Sequence, residues 1–305
     1  MAKVDPKKHP MPEQDPEERI RNFNEVALGY DVETAIAEAK RCLQCKKPVC
    51  IDGCPVEIDN PGFLLKIAEG DFKASIDILK DTNSLPAICG RVCPQETQCE
   101  ELCVLGKKFE PVAIGRLERF AADYEQENLE ITYPKCSAPK NEKIAIVGSG
   151  PAGLTCAGDL AKMGYGVTIF EALHDTGTMI RKKSSEIRLP NSIIDAEVDY
   201  VKKLGVIIEV NQVIGHSISI DELFEQGYKA IFLGTGAGLP KFSKISGENL
   251  IGVYSANEFL TRNNLMRGYL FPEYDTPIWV GNRVAVIRAG NVAMDSARTS
   301  KRLRG

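Results

Sequence analysis

Eight of the ten cysteines lie between Cys42 and Cys103, in two runs: Cys42-x2-Cys45-x4-Cys50-x3-Cys54-Pro55 and Cys89-x3-Cys93-Pro94-x4-Cys99-x3-Cys103. Thiolates are soft ligands, and several of them converging from short loops, with one more supplied from elsewhere, is how a chain holds an iron–sulfur cubane. A Cys-Pro that closes a run follows the ferredoxin habit, in which the last cysteine serves the other cluster. The expectation is therefore two 4Fe–4S clusters. Structural zinc is the alternative, because Cys42-x2-Cys45 is a zinc half-site, although zinc ribbons separate their halves by about 15–20 residues. A disulfide framework needs an oxidising compartment. The start, Met1-Ala-Lys-Val-Asp-Pro-Lys-Lys-His, has no apolar core resembling a signal peptide, so the expected compartment is the reducing cytoplasm.

A second chemistry begins at Gly148-x-Gly150-x-x-Gly153. The glycines follow an apolar run, Lys143-Ile-Ala-Ile-Val, and open a helical stretch from Pro151 to Met163; a second strand, Gly166-Val-Thr-Ile-Phe, then ends at Glu171. Strand, glycine turn, helix and strand-end acid occur in the order that dinucleotide binding requires. The first two glycines let a pyrophosphate approach backbone N–H groups at the helix N-terminus, and the third lets helix and strand pack closely. Glu171 is placed to accept from a ribose hydroxyl. Further on, Tyr228-Lys-Ala-Ile-Phe-Leu runs into a glycine turn at Gly234 and Gly236. Arg283-Val-Ala-Val-Ile reads as another buried strand leading to Gly290 and a helix, the outline of a second dinucleotide fold whose first glycine position holds Arg288.

The elements that must position these groups are legible in outline. Pro6, Pro10, Pro12 and Pro16 keep residues 1–30 from forming a helix before about Glu17, so this stretch reads as an arm laid over another surface. Asp31 caps a helix that delivers Cys42 and Cys45 from its C-terminal end. Between the cysteine runs, Ile58 to Gly70 and Asp71 to Thr82 show helical spacing of apolar residues and serve as an antiparallel pair of spacers. A helix opens after Pro111, and the linker Pro134 to Lys140 marks a boundary near Asn141. Gly205-Val-Ile-Ile-Glu-Val reads as a strand, and Ser255 caps a helix from Ala256 to Asn263.

Composition sets the outer limits. At 305 residues the chain has room for two or more domains. No apolar run approaches the ~18 residues of a membrane span, and a net charge of −4 gives no basic footprint for nucleic acid. His9, His174 and His216 are scattered without triad or metal spacing.

Together the cysteine block, Val112-Ala-Ile-Gly-Arg-Leu-Glu-Arg-Phe, Gly148-Ser-Gly-Pro-Ala-Gly, Phe170-Glu-Ala-Leu-His, Gly234-Thr-Gly-Ala-Gly-Leu-Pro and Tyr254-Ser-Ala-Asn-Glu-Phe-Leu resemble the NADPH-dependent glutamate synthase small (beta) subunit family, with its relatives in electron-bifurcating transhydrogenases and sulfide dehydrogenases. The resemblance implies a helical iron–sulfur domain over 1–140, the first part of a Rossmann-like FAD domain over 141–280 and the start of an NADPH domain over 281–305. It implies electrons passed from NADPH through FAD and two clusters to a partner, either a catalytic large subunit or another flavin or iron–sulfur acceptor subunit. It also implies the ligands: Cys42, Cys45, Cys50 and Cys103 for one cluster, and Cys54, Cys93, Cys99 and Glu118 for the other, with Cys89 unligated. FAD is expected at Gly148, Gly150, Gly153, Glu171, Arg188, Gly234 and Gly236, and the nicotinamide nucleotide at Gly290.

Three departures from the family's pattern carry expectations of their own. The flavin loop reads Gly177-Thr-Met-Ile-Arg-Lys-Lys-Ser-Ser-Glu-Ile-Arg188-Leu-Pro190, which puts Arg181, Lys182 and Lys183 where the family has an apolar wall and suggests a solvated loop. Arg288 burdens the second nucleotide turn, and the sequence stops at Gly305, ahead of the remaining nucleotide and flavin segments. FAD is accordingly expected to be weakly held and the NADPH site incomplete. A second class of function, a non-catalytic iron–sulfur module that has lost hydride chemistry, follows from the same departures.

Overall fold

The computed structural model describes residues 5–183, 185–240 and 242–304. The start of the N-terminal arm, Ser184 of the flavin loop, Lys241 and Gly305 lie outside the described residues. The chain divides into two compact units, one formed by residues 1–13 and 27–133, the other by residues 14–26 and 134–305. The arm is thus shared: its first part belongs to the helical unit, and its second part, with the short helix α1 (Pro16–Arg19), belongs to the unit that carries the sheet.

The first unit is helical throughout. Asp31 caps α2 (Val32–Ala39) by accepting from Thr34 N at 2.7 Å. The one-turn α3 (Val49–Asp52) leads to the two spacer helices, α4 (Asn60–Glu69) and α5 (Phe72–Thr82), each begun by an aspartate cap, Asp59 and Asp71. Then follow α6 (Pro86–Val92) and the long α7 (Ile114–Asn128). Phe63, Leu64, Ile67, Ile76, Leu79, Ile114 and Leu117 form its dry interior. Arg91 grips Asp123 with two parallel hydrogen bonds of 2.7 and 2.9 Å, and this fork ties α6 to α7.

The second unit is built on four parallel strands, β1 (Lys143–Val147), β2 (Gly166–Phe170), β3 (Ile207–Glu209) and β4 (Tyr228–Leu233), in the order β3-β2-β1-β4. Helix α8 (Pro151–Lys162) makes the β1-to-β2 crossover, and α9 (Thr178–Lys183) and α10 (Asn191–Lys203) lie between β2 and β3. Helix α11 (Ile220–Glu225), begun by a capping box between Ser219 and Glu222, carries the chain back across the sheet to β4 on the far side of β1. This is the strand order of the first half of a Rossmann fold, and its reversal lies between β1 and β4. After β4 come α12 (Ala256–Leu260), capped by Ser255 and continued by a π-helical turn over Thr261–Leu265, and α13 (Asn291–Arg302).

Two expectations are corrected here. Arg283–Ile287 is not a strand: it is extended chain without ladder partners, and Val284 and Ile287 are 47% and 68% exposed. A parallel strand needs neighbours on both sides to be buried, and among the described residues no strand pairs with this one. The flavin loop is not solvated either. Residues Thr178–Lys183 form α9, and Arg181 is only 2% exposed. Its guanidinium donates to Thr176 O at 2.7 Å and Asn191 Oδ1 at 3.1 Å and pairs with Asp195, so the charge is buried because it is fully engaged.

Candidate functional site

The cysteine-bearing loops are fixed by a buried hub. Glu38, inside α2, accepts from His9 N at 2.8 Å, His9 Nδ1 at 2.7 Å, Arg41 at 2.6 Å and Ala113 N at 2.8 Å. Burial pushes the Glu38 carboxyl up, yet these hydrogen bonds outweigh it and hold the group below its ordinary range. Arg41 in turn donates to the carbonyls of Asp5, Glu110 and Pro111 at 3.0, 2.7 and 3.1 Å. The residue just before Cys42 is thereby clamped to the segment that follows Cys103. Gln44 Nε2 donates to Pro61 O and Asn60 Nδ2 to Cys50 O, both at 3.0 Å, so the loop between Cys45 and Cys50 is held by the start of α4.

The result is two groups of four. Cys42 and Cys50 are both raised, first by burial and then by Cys103 and Cys45 as charged neighbours, Cys50 to about 11. Cys45, Cys50 and Cys103 line one small hollow with Leu43, Pro48, Val49, Val104 and Leu105. Cys93 is raised to about 11 by burial, by Glu118 and by Cys54, and Cys99 is raised by burial, by Glu100, by Glu118 and by Cys54 and Cys93. The structure thus gathers Cys42, Cys45, Cys50 and Cys103 in one place and Cys54, Cys93, Cys99 and Glu118 in another. Both sets are crowded with potential negative charge and call for a cation. Among the described residues no three His, Cys, Asp or Glu side chains close on a point tightly enough for a single metal ion. A cubane spreads its four ligands around a cage, and the donor sets, four thiols and three thiols with a carboxylate, fit such a group.

Cys89 is the remaining cysteine of the block. It sits in α6 with its sulfur directed at Asn83 Oδ1, 3.7 Å away. Asn83 also donates to Glu118 Oε1 at 2.7 Å. The two helices that carry Cys89 and Glu118 touch at Gly90: a Cβ there would stand 2.5 Å from Arg119 N.

The first nucleotide turn sits at the carboxyl end of β1. Gly148 has φ +102°, and a Cβ at Gly153 would stand 1.9 Å from Gly148 O, so neither position admits a side chain. Gly150 caps α8 with Pro151 at its first position, leaving the helix N-terminus open to a phosphate. Glu171 is buried and its carboxylate accepts from Ser149 N at 2.9 Å, Ser149 Oγ at 2.6 Å and Leu173 N at 3.0 Å. The acid is held against the glycine turn, and a carboxylate's remaining acceptor sites suit a ribose hydroxyl. Gly234, at the end of β4, donates from its N–H to Val147 O at 2.9 Å, and Gly236 has φ +65°. Both glycine turns therefore flank the point where strand order reverses, which is where open α/β sheets bind ligands. FAD's pyrophosphate and ribose match this donor set.

Arg188 and Gly290 are placed differently. Arg188 pairs at 2.6 Å with Asp295 of α13, whose carboxyl is pushed up by burial despite Arg188 and Arg298. Arg188 is therefore a partner of a buried acid rather than an open cationic finger. Gly290 caps α13, and a Cβ there would meet nothing within 4 Å. Arg288, two residues before it, has φ +88°, a left-handed conformation that only glycine adopts without strain. Sequence reasoning missed Asn83, and its only signal was its place just ahead of a helix that carries Cys89 and leads into Cys93.

Comparison with known proteins accounts for both units. Residues 19–130 match the family model described as dihydropyrimidine dehydrogenase domain II, 4Fe–4S cluster. The chain is 33% identical over 283 residues to the NAD-dependent dihydropyrimidine dehydrogenase subunit PreT of Escherichia coli K12, covering 92% of this chain and 65% of that protein. It is 32% identical over 309 residues to the glutamate synthase (NADPH) small chain of the same organism, covering 99% and 63%, and 33% identical to that of Halomonas elongata, covering 95% and 62%. The chain thus spans less than two-thirds of the length of these relatives. Residues 142–305, more than half of the chain, match the model described as pyridine nucleotide-disulphide oxidoreductase, and with its glycine turn, its parallel sheet and its strand-end acid the chain belongs to that family.

Proposed function

We propose that this chain is an electron-transfer oxidoreductase subunit that takes electrons from NADPH through FAD to two 4Fe–4S clusters and passes them to a partner subunit. The observation that carries the reading is the pair of four-donor sets in the helical unit, accompanied by a dinucleotide turn in the sheet unit. When bound, the flavin supplies hydride acceptance and the clusters supply one-electron steps, so the protein's own task is placement. Cys42, Cys45, Cys50 and Cys103 hold one cluster. Cys54, Cys93, Cys99 and Glu118 hold the other, with Cys89 unligated. Gly148, Gly150 and Gly153 admit the FAD pyrophosphate to the helix N-terminus, Glu171 fixes its ribose, and Gly234 and Gly236 line the same crevice. Arg188, paired with Asp295, is the further FAD-contacting residue, and Gly290 opens the helix of the nicotinamide-nucleotide segment.

The partner is a catalytic large subunit or another flavin or iron–sulfur acceptor subunit, as the names of the glutamate synthase and dihydropyrimidine dehydrogenase relatives suggest. The protein works in the cytoplasm, where its ten free cysteines stay reduced. No helix among the described residues is long and apolar enough to cross a membrane.

A second reading, a cluster-binding module that accepts no hydride, is favoured by one observation, the strained Arg288 in the second nucleotide turn. Anaerobic reconstitution decides between them. About eight irons per chain and flavin bands bleached by NADPH support the first reading, and eight irons without flavin reduction support the second. Two zincs and no iron overturn both.

A further inference from the structure

One buried amide touches both candidates for the last ligand of the second cluster. Asn83, 4% exposed, follows the last turn of α5. Its Nδ2 donates to Glu118 Oε1 at 2.7 Å, and its Oδ1 accepts from Leu85 N at 2.9 Å and faces the Cys89 thiol at 3.7 Å. Glu118 is itself 5% exposed. An amide is suited to this post because it offers a donor and an acceptor on one planar group. Aspartate would set like charge beside Glu118, and an aliphatic residue would satisfy neither neighbour.

We propose that Asn83 is a positioning residue that selects the ligand: its N–H group orients the Glu118 carboxylate toward Cys54, Cys93 and Cys99, while its carbonyl takes the Cys89 S–H and keeps that sulfur off iron. The inference rests on the proposed assignment of Glu118 as a ligand. The choice is a real one because the competing groups lie on either side of the same amide. Contact between α6 and α7 at Gly90 and the Arg91–Asp123 fork fixes their separation, so small rotations of side chains, not of helices, decide which group reaches the cluster.

Without Asn83, the exchange balances without any redox step. The Cys89 S–H bond breaks and a sulfur–iron bond forms; the oxygen–iron bond of Glu118 breaks, and the departing carboxylate takes the thiol proton. Outer-shell hydrogen bonds of this kind set the orientation of metal ligands and tune the metal they hold.

The test uses the full chain, reconstituted anaerobically, and reads iron content and the EPR spectrum of the reduced clusters. Asn83→Ala is expected to change the signal of one cluster while keeping about eight irons, and Glu118→Ala is expected to give that same altered signal, both arising from Cys89 ligation. Adding Cys89→Ala to Asn83→Ala should restore the original signal, and adding it to Glu118→Ala should remove about four irons. A wild-type spectrum in Asn83→Ala, or an altered one that persists in Asn83→Ala/Cys89→Ala, overturns the proposal while Glu118 stands as a ligand. A wild-type spectrum in Glu118→Ala removes Glu118 from the ligand set and the inference with it. If Asn83→Ala fails to fold, Asn83→Asp decides, because it keeps the acceptor for Leu85 N and Cys89 but loses the donor to Glu118. The altered signal is expected there, and a wild-type signal overturns the proposal.

Discussion

Replacing Gly90 with alanine sets two effects of opposite sign against each other. Inside a helix, alanine is favoured over glycine by about 0.8–1.0 kcal/mol, so an open site would be stabilised. At Gly90 the new Cβ would lie 2.5 Å from Arg119 N, 2.6 Å from Arg119 Cα and 2.8 Å from Arg119 Cβ. Carbon atoms pack best at about 3.5–4.0 Å, so α6 and α7 must part by roughly 1 Å. The atoms in the way are mainly backbone in the middle of α7 and cannot rotate aside. Overpacking of this kind costs about 1–3 kcal/mol, and with rigid neighbours the upper part of that range applies. The clash therefore wins, for a net loss of about 1–2 kcal/mol, which in a domain of this size lowers the melting midpoint by roughly 5–10 °C. Helix α6 leads into Cys93 and α7 carries Glu118, so parting them also pulls the second donor set open. Heating the reconstituted protein at a fixed scan rate and following the bleaching of cluster absorbance measures the shift, and iron analysis measures the loss. An unchanged or raised midpoint with full iron content would show that the two helices are not held at a fixed distance.

Other substitutions test the remaining supports. Glu38→Ala removes the acceptor for four donors and leaves the Arg41 guanidinium buried without its counter-charge; the expected cost is about 3–5 kcal/mol by denaturant titration. Because the folded Glu38 carboxyl lies below its ordinary 4.5, its stabilising contribution is complete above that value and disappears as pH falls through the lower folded one. Melting midpoints of the Glu38→Gln protein should therefore depend less on acid than those of the wild type, and parallel curves would contradict this. Arg288→Gly relieves a left-handed residue worth about 1–2 kcal/mol and adds chain entropy of about 0.5–1 kcal/mol, so it should be neutral or slightly stabilising. Arg288→Val should be clearly destabilising, and equal midpoints for the two variants would mean that the turn is not strained. Gly153→Ala drives a methyl group to 1.9 Å from Gly148 O, so this variant should lose FAD during gel filtration under conditions in which the wild type retains it.

What the chain declares in advance is whatever depends on near neighbours. Asp31, Asp59 and Asp71 each bond an N–H three residues ahead, and a cap of that kind is written in four consecutive positions. The order of strand, Gly148, Gly150, Gly153, helix and Glu171 is equally local, spanning one crossover. Arg181 shows the limit of such reading. A run of three cations suggests water, but its first member is paid for by Asp195 and Asn191 on the following helix and by the Thr176 carbonyl. Helix α10 itself was readable from Ile194, Val198 and Val201, which fall at the three- and four-residue spacings of one buried face. The opposite error occurs at Val284 and Val286, which have the pattern of a buried strand and yet stay exposed, because apolar periodicity states what a segment can bury and not what is there to bury it.

The candidate site repeats the distinction at closer range. Spacing names the cysteines but does not sort them: Cys89 and Cys93 are one helical turn apart, and nothing local says that one joins Cys54 and Cys99 while the other faces an asparagine. On the assignment proposed above, what separates them is a contact across 35 residues, from Asn83 to Glu118, beside the close approach of α6 to α7 at Gly90. Cys103 presents the same case on the other side. It joins Cys42, Cys45 and Cys50 because Arg41, the residue before Cys42, is held by the carbonyls of Glu110 and Pro111. Removing that guanidinium should therefore free the Cys103 segment from the first cysteine run while leaving Cys54, Cys93 and Cys99 in place. Arg41→Met, which keeps the buried volume but not the five donors, is expected to cost the first cluster about four irons and to spare the EPR signal of the second. Equal loss from both clusters would mean that the Arg41 clamp supports the helical unit as a whole rather than one quartet of ligands.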